Sequence, residues 1–303
     1  MDSKKLLERL ERPDGCVDVV IDTDTYNEID DQFALAYLIK SDDRLNLKAI
    51  YAAPFKNEKA DTPEEGMEKS YREILKILTL IGRPEYAQIT YKGSKSYLPD
   101  ETTPVISDAA NDLAARAMAQ PEDKPLYVIA IGAITNVASA LLIEPQIREK
   151  IVIIWLGGHA HSWPDTYEFN MYQDVAAARI VFGCQVPLIQ LPCMGVVSEF
   201  RTTEPELKHW LKGKNALCDY LVDNVINEAR RCNMGMCWSR VIWDVTAVAW
   251  LLDSAFMKDR LEKSPIPEYD HHYGFDPTRH LIKYVYYIDR DRLFADLFTK
   301  LAR

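Results

Sequence analysis

The chain is short of several features that would assign it at once. Its 303 residues include only 12 glycines and 16 prolines, too few for a low-complexity or disordered chain. Neither a P-loop nor a GxGxxG run occurs, so no glycine loop stands ready for phosphate. Positive charge is in deficit: 36 Lys+Arg against 46 Asp+Glu leave a net −10, which argues against a nucleic-acid surface built on phosphate neutralisation. The six cysteines, at 16, 184, 193, 218, 232 and 237, form no CxxC pair, and no histidines stand at zinc-finger spacing. A disulfide framework and a structural zinc are both poor readings of such a pattern. Cys232 and Cys237 bracket Asn-Met-Gly-Met and read as thiols of a packed loop with no role. No apolar run approaches membrane-spanning length, and the opening stretch is charged throughout, without the apolar core of a secretory signal. The expectation is a cytoplasmic protein that meets no membrane.

What is present is an ordinary globular composition, 48% hydrophobic and 27% charged. Apolar, β-branched runs at 17–21, 47–52, 126–131, 151–155 and 186–191 read as buried strands. Helical patterns lie between them, at 30–40, 64–81, 108–119, 134–142 and 174–182. This alternation predicts an α/β fold: one domain over residues 1–303, with a mostly parallel, doubly wound sheet and helices on both faces. Beyond about residue 195 the pattern becomes mainly helical (204–211, 216–230, 244–252), with a late strand at 281–288 and an irregular stretch at 264–279. Sites in such sheets lie beyond the carboxyl ends of the strands.

The first strand ends in Asp22-Thr23-Asp24, and a helix begins at Asp30-Asp31. Four aspartates on one loop repel one another, and a hard cation with oxygen ligands is the natural way to keep them ionised. Helix capping by Asp30 and Asp31 is the alternative, and it leaves Asp22 and Asp24 unexplained. Asn57, after the second strand, reads as a turn former or a ligand group. Leu156-Gly157-Gly158-His159 follows the fourth strand, and paired glycines let a backbone approach a ligand closely. Glu168-Phe169-Asn170 sets a carboxylate and an amide two residues apart, able to grip neighbouring hydroxyls from one side of an extended segment. Asp244, after Trp243, reads as a helix cap, a metal ligand, or both.

Taken in order, these segments resemble the nucleoside hydrolase family of the inosine–uridine-preferring type, from about residue 17 to 298 and including Gly132-Ala133-Ile134-Thr135-Asn136. The resemblance implies calcium-dependent hydrolysis of the N-glycosidic bond of ribonucleosides. By position, Asp24, Asp31 and Asp244 would ligate Ca²⁺ together with the backbone carbonyl of Ile131. Asp30, Asn57, Glu168, Asn170 and Asp244 would hold the ribose, with Leu156 beside the sugar. Asp22 would orient the loop from behind. Asp24 would take the proton of the attacking water, and a homodimer or homotetramer is implied.

Two departures from the family stand out. The 25–29 segment is longer than the family's loop and lacks its glycine. Trp243 stands where the inosine–uridine type carries a leaving-group histidine, as in the purine-specific branch, where tryptophan stacks on the base. His159 and His161 are other candidate acids, whereas His271, His272 and His280 read as surface residues. The Asn expected at the 5′-hydroxyl has no clear counterpart. Two other functions remain as alternatives: a calcium-dependent nucleoside or sugar binder without turnover, and a Mg²⁺-dependent phosphatase, suggested by the Asp-Thr-Asp after a strand.

Overall fold

The computed structural model describes residues 2–233 and 237–303. Part of the Cys232 to Cys237 loop therefore lies outside the described residues. Strands β1 (Val17–Thr23), β2 (Leu45–Ala52), β3 (Thr90–Lys92), β4 (Leu126–Ala130), β5 (Ile151–Leu156) and β6 (Leu188–Leu191) are joined by two later ones, Leu281–Ile288 and Met257–Lys263. They form one eight-stranded sheet in the order β3-β2-β1-β4-β5-β6, then Leu281–Ile288, then Met257–Lys263. Every neighbouring pair is parallel except the last. The strand order reverses direction between β1 and β4, which opens a crevice above their carboxyl ends.

Side-chain alternation sets the two layers. On β1, Val19 and Ile21 face one apolar core while Val20 faces the other. On β5, Ile154 and Ile153 divide in the same way. Such strands read as continuous apolar runs because both faces are covered. One face carries the helix Asp31–Ile39, buried along its whole length, with Val245–Trp250 packed against it. The other carries Asp108–Met118, Thr135–Ile143 and Val175–Gly183. The helix Pro63–Ile81 has clear ends: Thr62 accepts from the Glu65 N–H, proline opens the first turn, and Gly82 closes it at φ 78°.

The late strand expected at 281–288 is present, and Met257–Lys263, which the pattern did not predict, pairs with it antiparallel to complete the sheet. Met257–Lys263 reads Met-Lys-Asp-Arg-Leu-Glu-Lys, the charged chemistry of an edge strand whose outer backbone faces water. The irregular 264–279 stretch contains a short antiparallel ribbon, Ile266–Pro267 with Tyr273–Gly274. Other elements also escape the periodicity, among them the N-terminal helix Ser3–Arg9 and the three-residue β3.

Candidate active site

A cleft of about 240 Å³ opens above β1, β4 and β5. Asp24 follows β1 directly, and the Asn27 N–H closes a turn onto its carbonyl at 2.7 Å. That turn brings Asp30 and Asp31 back over the strand end. Asp30 occupies the cap position of the helix Asp31–Ile39, yet its side chain makes no capping bond. Asp244 stands in the same way before Val245–Trp250. Capping therefore does not account for these carboxylates, which turn inward instead. Asp30 Oδ2 accepts from the Asp244 N–H at 3.4 Å, and Asp31 Oδ1 accepts from the Thr23 hydroxyl at 2.5 Å.

Asp30, Asp31 and Asp244 each offer an oxygen within 4.8 Å of the others. Asp24 joins them on the cleft lining, with Oδ2 buried and unpartnered. Burial pushes all four carboxyls upward, and repulsion from neighbouring acids adds to it at Asp24, Asp31 and Asp244, taking Asp31 to about 8. An all-oxygen donor set of crowded, under-bonded acids fits a hard divalent cation, whose charge would relieve the repulsion. Ile131, just past β4, lines the same floor.

The wall is built differently. Glu168 caps the short helix Phe169–Gln173 and accepts three backbone N–H bonds, from Gly158 (2.8 Å), Asn170 (2.9 Å) and Met171 (3.0 Å). Burial still raises it to about 7. Gly158 can make this approach because its φ is 73° and a Cβ there would lie 2.1 Å from the Tyr273 hydroxyl. Asn170 Nδ2 donates to the Leu156 carbonyl at 2.9 Å, tying the wall to the end of β5. Trp243 is half-buried and lines the cleft beside Asp244.

Two expected residues stand apart from the lining. Asn57 does not reach it, because its Nδ2 donates to Asn27 Oδ1 at 2.7 Å and Asn27 faces the cleft in its place. Asp22 lies beneath the floor, where Oδ1 accepts from Asn136 Nδ2 at 2.7 Å and burial raises the carboxyl to about 7. Of the candidate acids, His159 lines the cleft. Its Nδ1 accepts from the Met194 N–H at 3.2 Å, and burial lowers its affinity for a proton. His161 faces away, between Glu262 (2.6 Å) and Gln190 (2.9 Å). His271 and His280 are half-buried rather than superficial, and burial takes His280 down to about 4.

The sequence reading missed Asn27, Glu28, Tyr167, Phe169, Cys193 and Met194 on the lining. Cys193 and Met194 follow β6, where the carboxyl-end rule points, but neither carries a chemical signature. Among the described residues no lysine or arginine lines the cleft. A phosphoryl group would thus find no cationic side chain among them, which weighs against the phosphatase alternative.

The family model for inosine-uridine preferring nucleoside hydrolases matches residues 19–280. Among curated proteins, the pyrimidine-specific ribonucleoside hydrolase RihA of Klebsiella pneumoniae is 28% identical over 175 residues, which cover 49% of this chain and 55% of that protein. The chain thus spans about half the length of the curated relatives it matches. Two solved structures share the fold at 20% identity over 94% of this chain. A plant nucleoside hydrolase has a TM-score of 0.75 with 99% of its own chain covered. A purine-preferring ribonucleoside hydrolase from Gardnerella vaginalis has a TM-score of 0.72 with 98% covered. With a family match over most of its length and an acidic crevice at the sheet's switch point, the chain belongs to the inosine-uridine preferring nucleoside hydrolase family.

Proposed function

We propose that this protein hydrolyses the N-glycosidic bond of ribonucleosides, giving ribose and free base, with a preference for purines and a dependence on calcium. The observation that carries the reading is the pairing of an under-bonded carboxylate floor with a hydroxyl-gripping wall across one cleft. Asp24, Asp31 and Asp244, with the Ile131 carbonyl, would hold the calcium. Bound there, the ion would neutralise the floor and acidify a coordinated water.

The side chains do the rest. Asp24, its basicity raised by burial, takes the proton as water attacks the anomeric carbon. Asp30, Glu168 and Asn170 hold the ribose hydroxyls, and such contacts tighten as the sugar gains oxocarbenium character. Leu156 packs beside the sugar, and Asp22 steadies the loop through Asn136. Asn57 acts at one remove, by holding Asn27. Trp243 offers a flat face to the departing base, and the larger purine gains more from it. The relatives differ on this point, since RihA is named as pyrimidine-specific and the Gardnerella protein as purine-preferring.

A second reading is a calcium-dependent nucleoside binder without turnover. It is favoured by one observation: burial disfavours the protonated form of His159, the histidine on the lining, so the cleft has less of a proton to give a leaving base. We further read the chain as a cytoplasmic single domain that assembles as a homodimer or homotetramer, which light scattering tests. The deciding experiment is chromatographic detection of free base from inosine, guanosine, adenosine, uridine and cytidine, with calcium and then with chelator. Calcium-dependent purine release supports the hydrolase. Ligand-dependent thermal stabilisation without any product supports the binder, and pyrimidine release overturns the role given to Trp243.

A further inference from the structure

Among the described residues six carboxylates line the cleft, and the proposed reaction uses five of them. Glu28 is the sixth. Its side chain is 42% exposed, whereas none of the other five residues exceeds 5%. It forms part of the wall between the cleft and a neighbouring cavity of about 370 Å³ that also touches Tyr26, Gln32 and Lys76. One contact holds its backbone and another its carboxylate. The Gln32 amide donates to the Glu28 carbonyl at 3.4 Å, and the Arg240 guanidinium donates to Oε2. The segment that carries Arg240 also carries Trp243, so the aromatic face and the clamp on Glu28 come from one stretch of chain.

We propose that Glu28 reads the edge of the nucleobase and selects guanine; the proposal rests on the nucleoside hydrolase reading above. An ionised carboxylate only accepts, and its two oxygens offer about four lone-pair positions. Among the described residues Arg240 is the hydrogen-bond donor to this carboxylate, on Oε2, which leaves Oε1 and the remaining lone pair of Oε2 for a base edge in the cleft that Glu28 lines. Guanine presents two adjacent donors, N1–H and the exocyclic amine, which match two carboxylate oxygens. Hypoxanthine presents N1–H alone. Adenine sets its amine beside the N1 lone pair, and uracil flanks N3–H with two carbonyl oxygens that repel a carboxylate. The expected order is guanosine, then inosine, then adenosine, with pyrimidines last.

Glu28→Gln converts a pair of acceptors into an acceptor beside a donor, which suits adenine rather than guanine. The expected result is a fall of about 10- to 100-fold in kcat/KM for guanosine with none for adenosine, the range one bidentate contact confers. A readout independent of turnover uses 9-methylguanine and 9-methyladenine, which have no sugar to lose. Calorimetry should find the wild type binding the guanine at least about tenfold tighter, and E28Q erasing that difference. An equal loss for all nucleosides, an unchanged guanosine-to-adenosine ratio, or wild-type binding without preference for 9-methylguanine overturns the proposal. If the wild type releases no base, the hydrolase reading fails, and the methylated bases still decide the role of Glu28.

Discussion

The floor and the wall of the cleft bury carboxylates equally well, yet they compensate for burial in opposite ways. Glu168, in the wall, is met by three backbone N–H groups from its own helix start and from Gly158. In the floor, Asp30, Asp31 and Asp244 have mainly one another for company, and Asp24 leaves an oxygen without a partner. Burial dominates the upward shift in both places, to about 7 for Glu168 and about 8 for Asp31. The wall is thus complete in itself, whereas the floor is short of hydrogen-bond donors and would be completed by a bound cation. A buried acid with backbone donors is a preformed grip; a cluster of acids without them is a cation seat.

The largest test of that contrast is Asp31→Asn. Removing one floor charge should weaken calcium binding and lower kcat/KM by about a thousandfold or more, since the ion and the groups around it act as a unit. Calcium titration alongside base-release kinetics checks both, and a normal rate with weakened calcium would separate the floor from the chemistry. In the wall, Glu168→Gln keeps the shape and should cost about a hundredfold, chiefly in kcat, because hydroxyl contacts that strengthen in the transition state are lost. Calcium affinity should stay near wild type; a parallel loss would mean that the two regions are one.

Acidity sharpens the same comparison. The carboxyl of Asp31 rises from its ordinary 3.8 to about 8 when folded, so folding favours its protonated form. Without metal, the stability this gives is full below pH 3.8 and is lost as pH climbs through about 8. The chelated protein should therefore melt lower at pH 8 than at pH 5.5. Calcium needs ionised ligands, so its affinity should rise over that window by about tenfold per pH unit for each proton displaced. Thermal melts with and without calcium at the two pH values check the signs. A chelated protein that gains stability toward pH 8 would show that the floor is not strained by its own charge.

Trp243→Ala should reduce kcat/KM for purine nucleosides by about 10- to 100-fold, the usual worth of one base stacked on an aromatic face. The loss should fall mostly on KM and be smaller for pyrimidines. Equal losses for both classes would make Trp243 a packing residue at the start of its helix.

Much of this was legible in the sequence, for definite reasons. β1, β4 and β5 are buried on both faces, so they read as unbroken β-branched runs, and polar residues past their ends stand out. The pairing of Asp244 with Asp30 across more than two hundred residues came only from the ordered resemblance, since no local pattern links them. Met257–Lys263 was illegible because an edge strand is charged on the side that faces water. Glu28 was quoted within its loop but passed over, because spacing alone does not say which of residues 25–29 turns toward the cleft.

The smallest expected effect concerns Asn57, the residue whose role the structure moved. Its amide holds Asn27, and a backbone bridge to Ala60 shapes the turn that carries it. Asn27 reaches the lining and Asn57 does not. Truncating Asn57 to alanine removes two part-buried side-chain contacts, to Asn27 and from the Lys59 N–H, and only the first, worth about 1 kcal/mol at most, touches the lining. Asn27 is still held by the turn onto the Asp24 carbonyl. Asn57→Ala should thus lower kcat/KM by no more than about fivefold, with calcium affinity unchanged. Asn27→Ala, which strips the lining itself, should cost more. The reverse ranking in the same base-release assay would mean that Asn57 swings into the cleft when nucleoside binds and grips the ribose directly.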